Sequence, residues 1–337
     1  MARVALVRPD PDRLVYSTDG GSAGDRELVR ATVDAATLAT ITSSTSGGDF
    51  GLGLGSWWWR PAPDRSTVML SRYPYNGVSA ANVYTDHELW TCEPDGTSLA
   101  LRMGQPGSGT VPADWLAYGH PEWQPDGQRI AVFVVTAAGS AIVKANMDGT
   151  ALRTVAADAA GNGIIDPAFN PAGDRLIFVC DDSIVTIPNT QASTTEPQIL
   201  VGDWTTLRTL AADAGAVGNY DPYYSPDGTR IAWLQKVTDL RWRIKIMDAD
   251  GSDVATVIDD GNINSMPMWS SDGQWLYFHR LVLADLRWSL AKIRPDGTGL
   301  ANVLTTAGRN YEFPSIERGL RPAAGRPGRI RRASPVA

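Results

Sequence analysis

Trp123-Gln-Pro-Asp-Gly-Gln-Arg-Ile-Ala-Val132 reads as the end of one strand, a tight turn and the start of another. Proline presets φ at the first turn position, aspartate bonds its own backbone, and glycine accepts the positive φ that closes the turn. The phrase returns as Phe169-Asn-Pro-Ala-Gly-Asp-Arg-Leu-Ile-Phe178, Tyr224-Ser-Pro-Asp-Gly-Thr-Arg-Ile-Ala-Trp233 and Trp269-Ser-Ser-Asp-Gly-Gln-Trp-Leu-Tyr-Phe278. Two looser copies precede these, Val7-Arg-Pro-Asp-Pro-Asp-Arg13 and Trp59-Arg-Pro-Ala-Pro-Asp-Arg65. A repeat of this length means stacked supersecondary units.

With the residue after the aromatic pair as a ruler, the marks fall at Pro9, Pro61, Pro125, Pro171, Pro226 and Ser271, at intervals of 52, 64, 46, 55 and 45 residues. Each interval also holds a second turn: Glu93-Pro-Asp-Gly-Thr97, Met147-Asp-Gly-Thr150, Asp248-Ala-Asp-Gly-Ser252 and Arg294-Pro-Asp-Gly-Thr298. Asp-Gly between strand-like runs is a strong hairpin signal. Four antiparallel strands per interval, six intervals and no amphipathic helix predict an all-β fold, a six-bladed β-propeller over residues 1–317. The aromatic residues Trp59, Trp123, Phe169, Tyr224 and Trp269 then belong between blades, because the repeat places them alike.

Two internal matches refine the boundaries. Ala151-Leu-Arg-Thr-Val-Ala-Ala-Asp158 leads to Asp166-Pro167, and Thr206-Leu-Arg-Thr-Leu-Ala-Ala-Asp213 leads to Asp221-Pro222. The fourth blade's outer strand therefore lies near 205–211, and 189–204 is an insertion before it. Asp239-Leu-Arg-Trp242 and Asp285-Leu-Arg-Trp288 mark the same place in the fifth and sixth blades. Phe313-Pro314 matches Asp221-Pro222 and Met266-Pro267, so 310–317 is expected to close the ring beside the N-terminal strand. Residues 318–337 form a separate basic tail, a solvated end or an arm for an acidic partner.

The formal charge of −7 includes six arginines and no acid in 318–337, which leaves −13 on the body. Such a body is a poor match for nucleic acid, whose phosphates need positive charge. Cys92 and Cys180, the only cysteines, fall in different repeats and read as two buried thiols. The apolar run 4–7 is too short for a signal peptide or a membrane span. A cytoplasmic protein follows if Met1 is the native start.

The unit of aromatic-Ser-Pro-Asp-Gly (Tyr224–Gly228) followed by Met-Asp-x-Asp-Gly (Met247–Gly251) resembles the PD40 repeat, a WD40-like unit. That repeat builds the propellers of TolB-like proteins and of prolyl oligopeptidase relatives. The resemblance spans about 3–317 and is strongest from 115 to 305. It implies a propeller that binds partners across one face, and it favours a periplasmic or secreted location. TolB adds an N-terminal α/β domain with no counterpart in these residues. Oligogalacturonate lyases, also PD40-like, depend on a histidine cluster, which His87, His120 and His279 do not supply by their spacing.

Gly20-Gly-Ser22-Ala-Gly24 fits the nucleophile-elbow pattern, but it falls in a loop of the first blade rather than on a strand-to-helix turn. Asp248 to Asp253 resembles half of a calcium loop, and the repeated hairpin explains it more simply. The longer, unrepeated segments 72–87, 104–119, 157–165, 213–219 and 235–240 gather on the face opposite the Pro-Asp-Gly turns. They hold Tyr73, Tyr75, Tyr84, Trp115, Tyr118 and Tyr220 beside Asp114, Asp158, Asp166, Asp213, Asp221, Asp259 and Asp260. Loops on a rigid scaffold are where function tends to sit. The expected activity is non-catalytic binding of a protein or peptide, without cofactor or metal, through Trp115, Tyr118, His120, Asp166, Tyr220 and Asp221. One alternative is a structural subunit docked through the basic tail and the 189–204 insertion. Another is a propeller hydrolase or lyase with a metal at the channel mouth near Asp166 and Asp221.

Overall fold

The computed structural model describes residues 12–19, 26–32, 37–44, 56–72, 87–94, 96–158, 163–180, 183–188, 199–200, 208–211, 218–284, 286–305 and 311–317. The basic tail, the Gly20–Gly24 motif, Tyr73, Tyr75, Tyr84, Asp213 and most of the 189–204 insertion lie outside them. The described residues form strands and turns, with no helix long and apolar enough to cross a membrane.

The first blade contains β1 (Arg13–Asp19), β2 (Arg26–Thr32) and β3 (Thr37–Ser44). The second is β4 (Ser56–Pro61), β5 (Val68–Arg72), β6 (Glu88–Cys92) and β7 (Ala100–Met103). The third is β8 (Trp115–Trp123), β9 (Arg129–Thr136), β10 (Gly139–Asn146) and β11 (Arg153–Asp158). The fourth is β12 (Ile164–Phe169), β13 (Arg175–Cys180), β14 (Ser183–Pro188) and β16 (Arg208–Ala211), with the short β15 (Ile199–Leu200) before β16. The fifth is β17 (Gly218–Tyr224), β18 (Arg230–Thr238), β19 (Arg241–Asp248) and β20 (Ala255–Ile258). The sixth is β21 (Ile263–Trp269), β22 (Leu276–Val282), β23 (Arg287–Ile293) and β24 (Ala301–Leu304). The last strand, β25 (Tyr311–Glu317), pairs antiparallel with β1 and completes the first blade. β16 pairs with β14, where the duplicated segment places the outer strand, while β15 pairs parallel to β11 of the preceding blade. The first strand of each blade neighbours that of the next, from β4 through β8, β12, β17, β21 and β25 back to β4. The described strands therefore make a closed ring of six four-stranded blades.

Period-2 alternation sends each strand's side chains into two different cores. On β9, Ile130, Val132 and Val134 pack toward the second blade, and Ala131 and Phe133 pack toward the fourth. On β18, Ile231 and Trp233 face the fourth blade and Ala232 the sixth. Trp123, Phe169, Tyr224 and Trp269 each anchor one of these inter-blade clusters. Each such burial contributes about 1.5–3 kcal/mol. The indole N–H of Trp123 donates to the Arg60 carbonyl at 2.9 Å, and that of Trp269 to the Tyr223 carbonyl at 3.1 Å, so each ring also ties its blade to the one before. Cys92 and Cys180 are buried and not joined in a disulfide.

The turns show why aspartate recurs. In the first turn Asp126 accepts from Gln128 N–H, Asp227 from Thr229 and Asp272 from Gln274, at 2.9–3.1 Å. In the second turn Asp148, Asp250 and Asp296 do the same for Thr150, Ser252 and Thr298. Asp250 thus serves a hairpin in the stretch that resembles half a calcium loop.

The second blade shifts the ruler by two residues. Ala62 N–H donates to Thr67 O and Arg65 N–H to Ala62 O, the pattern made elsewhere by Gln124 with Arg129 and Gly127. Pro63-Asp64-Arg65 is therefore the turn, with Arg65 at φ 62° in the glycine position. Pro61 occupies the place of the core aromatics and Trp59 sits two residues earlier, because the turn's hydrogen bonds, not the first proline, define the register.

Candidate site in the central channel

The innermost strands β8, β12, β17 and β21 share an irregularity. Pairing with the next strand slips across His120-Pro121, Asp166-Pro167, Asp221-Pro222 and Met266-Pro267. The residue before each proline has φ of 46°, 55°, 51° and 54°, respectively. Proline disfavours the right-handed helical conformation in the residue before it, and a bulge re-aims the side chain it carries. Holding a non-glycine residue there costs about 1–3 kcal/mol, which the surrounding blades must offset.

The bulges bring charge together across blades. His120 Nδ1 meets Asp166 Oδ1 on the neighbouring strand, and the His120 ring sits edge-on to Phe133 at 5.2 Å. Asp166 Oδ2 accepts the backbone N–H of Asp221 at 3.1 Å. Asp166 and Asp221 are both buried. Burial and the charge of Asp166 push the Asp221 carboxyl up to about 7, against the opposing pull of His120 and Arg60. Asp221 is thus a carboxyl that exchanges its proton near neutrality beside a histidine–carboxylate pair.

Two residues further along the strands a second layer forms. Arg60, buried on β4, donates through Nε to Glu122 Oε2 at 2.9 Å and through Nη2 to the Tyr223 hydroxyl. Its guanidinium carbon lies 5.2 Å from the centre of the Tyr223 ring. Burial opposes the charge on Arg60, but Tyr223 and Glu122 outweigh it and hold its pKa above the ordinary value. Burial also holds the Tyr223 hydroxyl well above its usual range. Below this layer lies a cavity of about 230 Å³, rimmed by Pro63, Pro125 and Pro171 of the first turns.

Of the six residues expected from sequence, His120, Asp166 and Asp221 come together, and Tyr220 is half-buried two residues before the β17 bulge proline. Trp115 and Tyr118 are corrected. Both are buried in the cluster between the second and third blades, and the Tyr118 hydroxyl points at the Met103 and Gly104 carbonyls at 2.9 and 3.0 Å. Their rings hold segment 104–119 down instead of facing a partner. Asp158 is buried as well, and Asp259 and Asp260 are paired with Arg241 and Arg280. His87 is buried edge-on to Tyr118 at 4.5 Å, with its pKa pushed down to about 3 by burial and by His120. His279 stacks on Trp288 at 4.5 Å. Among the described residues no three His, Cys, Asp or Glu side chains are placed to hold one metal ion.

Arg60, Glu122 and Tyr223 were not singled out from sequence. The signal was available: Glu122 and Tyr223 immediately precede the core aromatics Trp123 and Tyr224. Side chains alternate along a strand, so the neighbour of a core aromatic turns away from that aromatic's ring, and Glu122 and Tyr223 there reach the cavity.

No family model and no curated protein matches the sequence. Solved structures do match. TolB from Acinetobacter baumannii superposes with a TM-score of 0.65 at 15% identity, covering 91% of this chain and 66% of that one, less than two thirds of its length. The nidogen/laminin complex matches with a TM-score of 0.57 at 12% identity, covering 90% of this chain and 98% of that one. The periplasmic gluconolactonase of Pseudomonas aeruginosa matches with a TM-score of 0.55 at 13% identity, covering 90% and 98%. At these identities the likeness concerns the fold alone, and the fold is a β-propeller.

Proposed function

We propose that this propeller is a non-catalytic binding protein that docks a protein partner on the face opposite the Pro-Asp-Gly turns. The observation that carries the reading is where leucine is exposed. Leu286, Leu240 and Leu116 are 75, 60 and 52% exposed, more than any other large hydrophobic among the described residues. Leu240 and Leu286 occupy the same position in equivalent hairpins of adjacent blades, and Leu116 is the second residue of β8, at the same end of the blades. A single exposed leucine is ordinary, but several on one face of a rigid ring suit an interface. His120, Asp166 and Asp221 lie in the channel beneath that face, and their carboxylates favour a basic group from the partner. A TolB-like fold and a nidogen propeller found in complex with laminin are consistent with protein binding.

Pull-down from the native host compares the wild type with Leu240→Ser/Leu286→Ser and with Val254→Ser/Leu300→Ser, which alters exposed residues beside the second turns. The first pair should lose at least 10-fold in captured partner, about 1.4 kcal/mol, with melting temperature unchanged. The second pair should retain it. Equal capture by both overturns the docking face.

One observation favours a second reading. A carboxyl titrating near neutrality beside His120 and Asp166 is the arrangement general acid–base chemistry uses, and a gluconolactonase shares the fold. On that reading Asp221→Asn abolishes a turnover while leaving the leucine-dependent capture intact.

A further inference from the structure

We propose that the cavity on the Pro-Asp-Gly face is a second, separate binding site, for a small organic cation with an aromatic or alicyclic body. It is independent of the protein-docking reading, because it lies at the other mouth of the channel.

Three observations carry the argument. The first is shape. The cavity holds about 230 Å³, walled by turn prolines and by Trp123, Phe169 and Tyr223. Two of those walls pack against the next blade: the proline rings of Pro63 and Pro171 sit 3.9 and 3.5 Å from where a Cβ on Gly127 and Gly228 would stand. A preformed pocket that joins apolar walls to a few placed polar groups is what small-ligand sites look like.

The second is the polar end. Glu122 uses Oε2 for Arg60, and its side chain is 21% exposed, so Oε1 remains to accept from a ligand. The Tyr223 oxygen accepts from Arg60, which leaves its own proton to donate. An acceptor and a donor therefore converge where a ligand's polar head would sit.

The third is charge. The positive charge of Arg60 is already matched by Glu122, and behind them lie the carboxyls of Asp166 and Asp221. The body outside the tail carries −13, which draws cations toward such a mouth. An ammonium or guanidinium group gains from the carboxylate and from the faces of the aromatic rings. An anion would have to displace Glu122 from Arg60 before gaining anything.

Three probes of matched size separate the possibilities: phenethylamine, 2-phenylethanol and 3-phenylpropionate, titrated against the full chain by calorimetry and ligand-observed NMR. The amine should bind with a Kd of about 0.1 mM, at least 10-fold tighter than either of the others. Glu122→Gln should cost the amine about 10-fold and leave the alcohol unchanged. Should that variant fail to fold, Pro63→Trp at the exposed rim should block the amine by filling the mouth. No amine binding at about 1 mM overturns the proposal. So does a tighter carboxylate, equal binding of all three, or amine binding that neither variant weakens.

Discussion

The two mouths of the channel are made by the same innermost strands, yet they differ in what varies. At the Pro-Asp-Gly mouth the backbone is nearly invariant, and each turn repeats one hydrogen-bond pattern from the second blade to the sixth. At the loop mouth the segments share no such common turn, although neighbouring blades repeat Asp239-Leu-Arg-Trp242 as Asp285-Leu-Arg-Trp288. Repetition at first suggests an inert face and a functional one opposite. The structure teaches otherwise. An invariant backbone can still present variable side chains, and Arg60, Glu122, Ala168, Tyr223 and Met268 border the cavity of the repeated mouth.

The largest break in this comparison comes from the shared frame beneath both mouths. Trp269→Ala removes a side chain with no exposure from the cluster between the fifth and sixth blades. It should cost about 3–5 kcal/mol in chemical denaturation, and it should loosen both mouths together. A smaller effect sharpens the contrast at mid-channel. Folded Asp221 holds its proton to about pH 7, whereas an ordinary aspartate releases it near 3.8. The native state therefore binds more protons between those values. Stability from this group is complete below about pH 4 and is lost as pH rises through about 7. Asp221→Asn should flatten that part of the melting-temperature profile, and an unchanged profile would remove Asp221 from the explanation. The smallest break tests the second turns alone. Gly297 has φ 82°, and a Cβ there would stand 3.0 Å from the Val257 carbonyl oxygen. Gly297→Ala should cost about 1–2 kcal/mol, through left-handed strain and that contact, with neither mouth affected.

The architecture was legible because a propeller states its period in the chain. Trp123, Phe169, Tyr224 and Trp269 recur at fixed distance from a turn, and each lands between blades. The second blade was misread by two residues because Pro61-Ala-Pro63 offers two prolines, and only the hydrogen bonds of Ala62 decide between them. The channel site was half legible. His120, Asp166 and Asp221 share a position before proline, so one sequence feature marks all three. Trp115 and Tyr118 were misjudged because aromatic residues in a long segment serve equally to cover the core or to face solvent, and composition does not distinguish the two. Arg60 was hidden for another reason. Its partners Glu122 and Tyr223 lie 62 and 163 residues away, a separation only ring closure brings together.

Ring closure has a further consequence, for the order in which the protein is made. The second through sixth blades each consist of strands close in sequence, and each can assemble soon after it leaves the ribosome. The first blade cannot. Arg13 of β1 pairs with Glu317 of β25, and Asp12 accepts the backbone N–H of Ser271 in the sixth blade. At about 5–20 residues per second, the first three strands wait roughly 15–60 s for the strand that covers them. Throughout that interval β1 presents an unpaired edge, the feature that templates association between chains. Within the propeller, the first blade to be synthesised is thus the last to be protected, and the growing ring is most exposed to misassembly at β1.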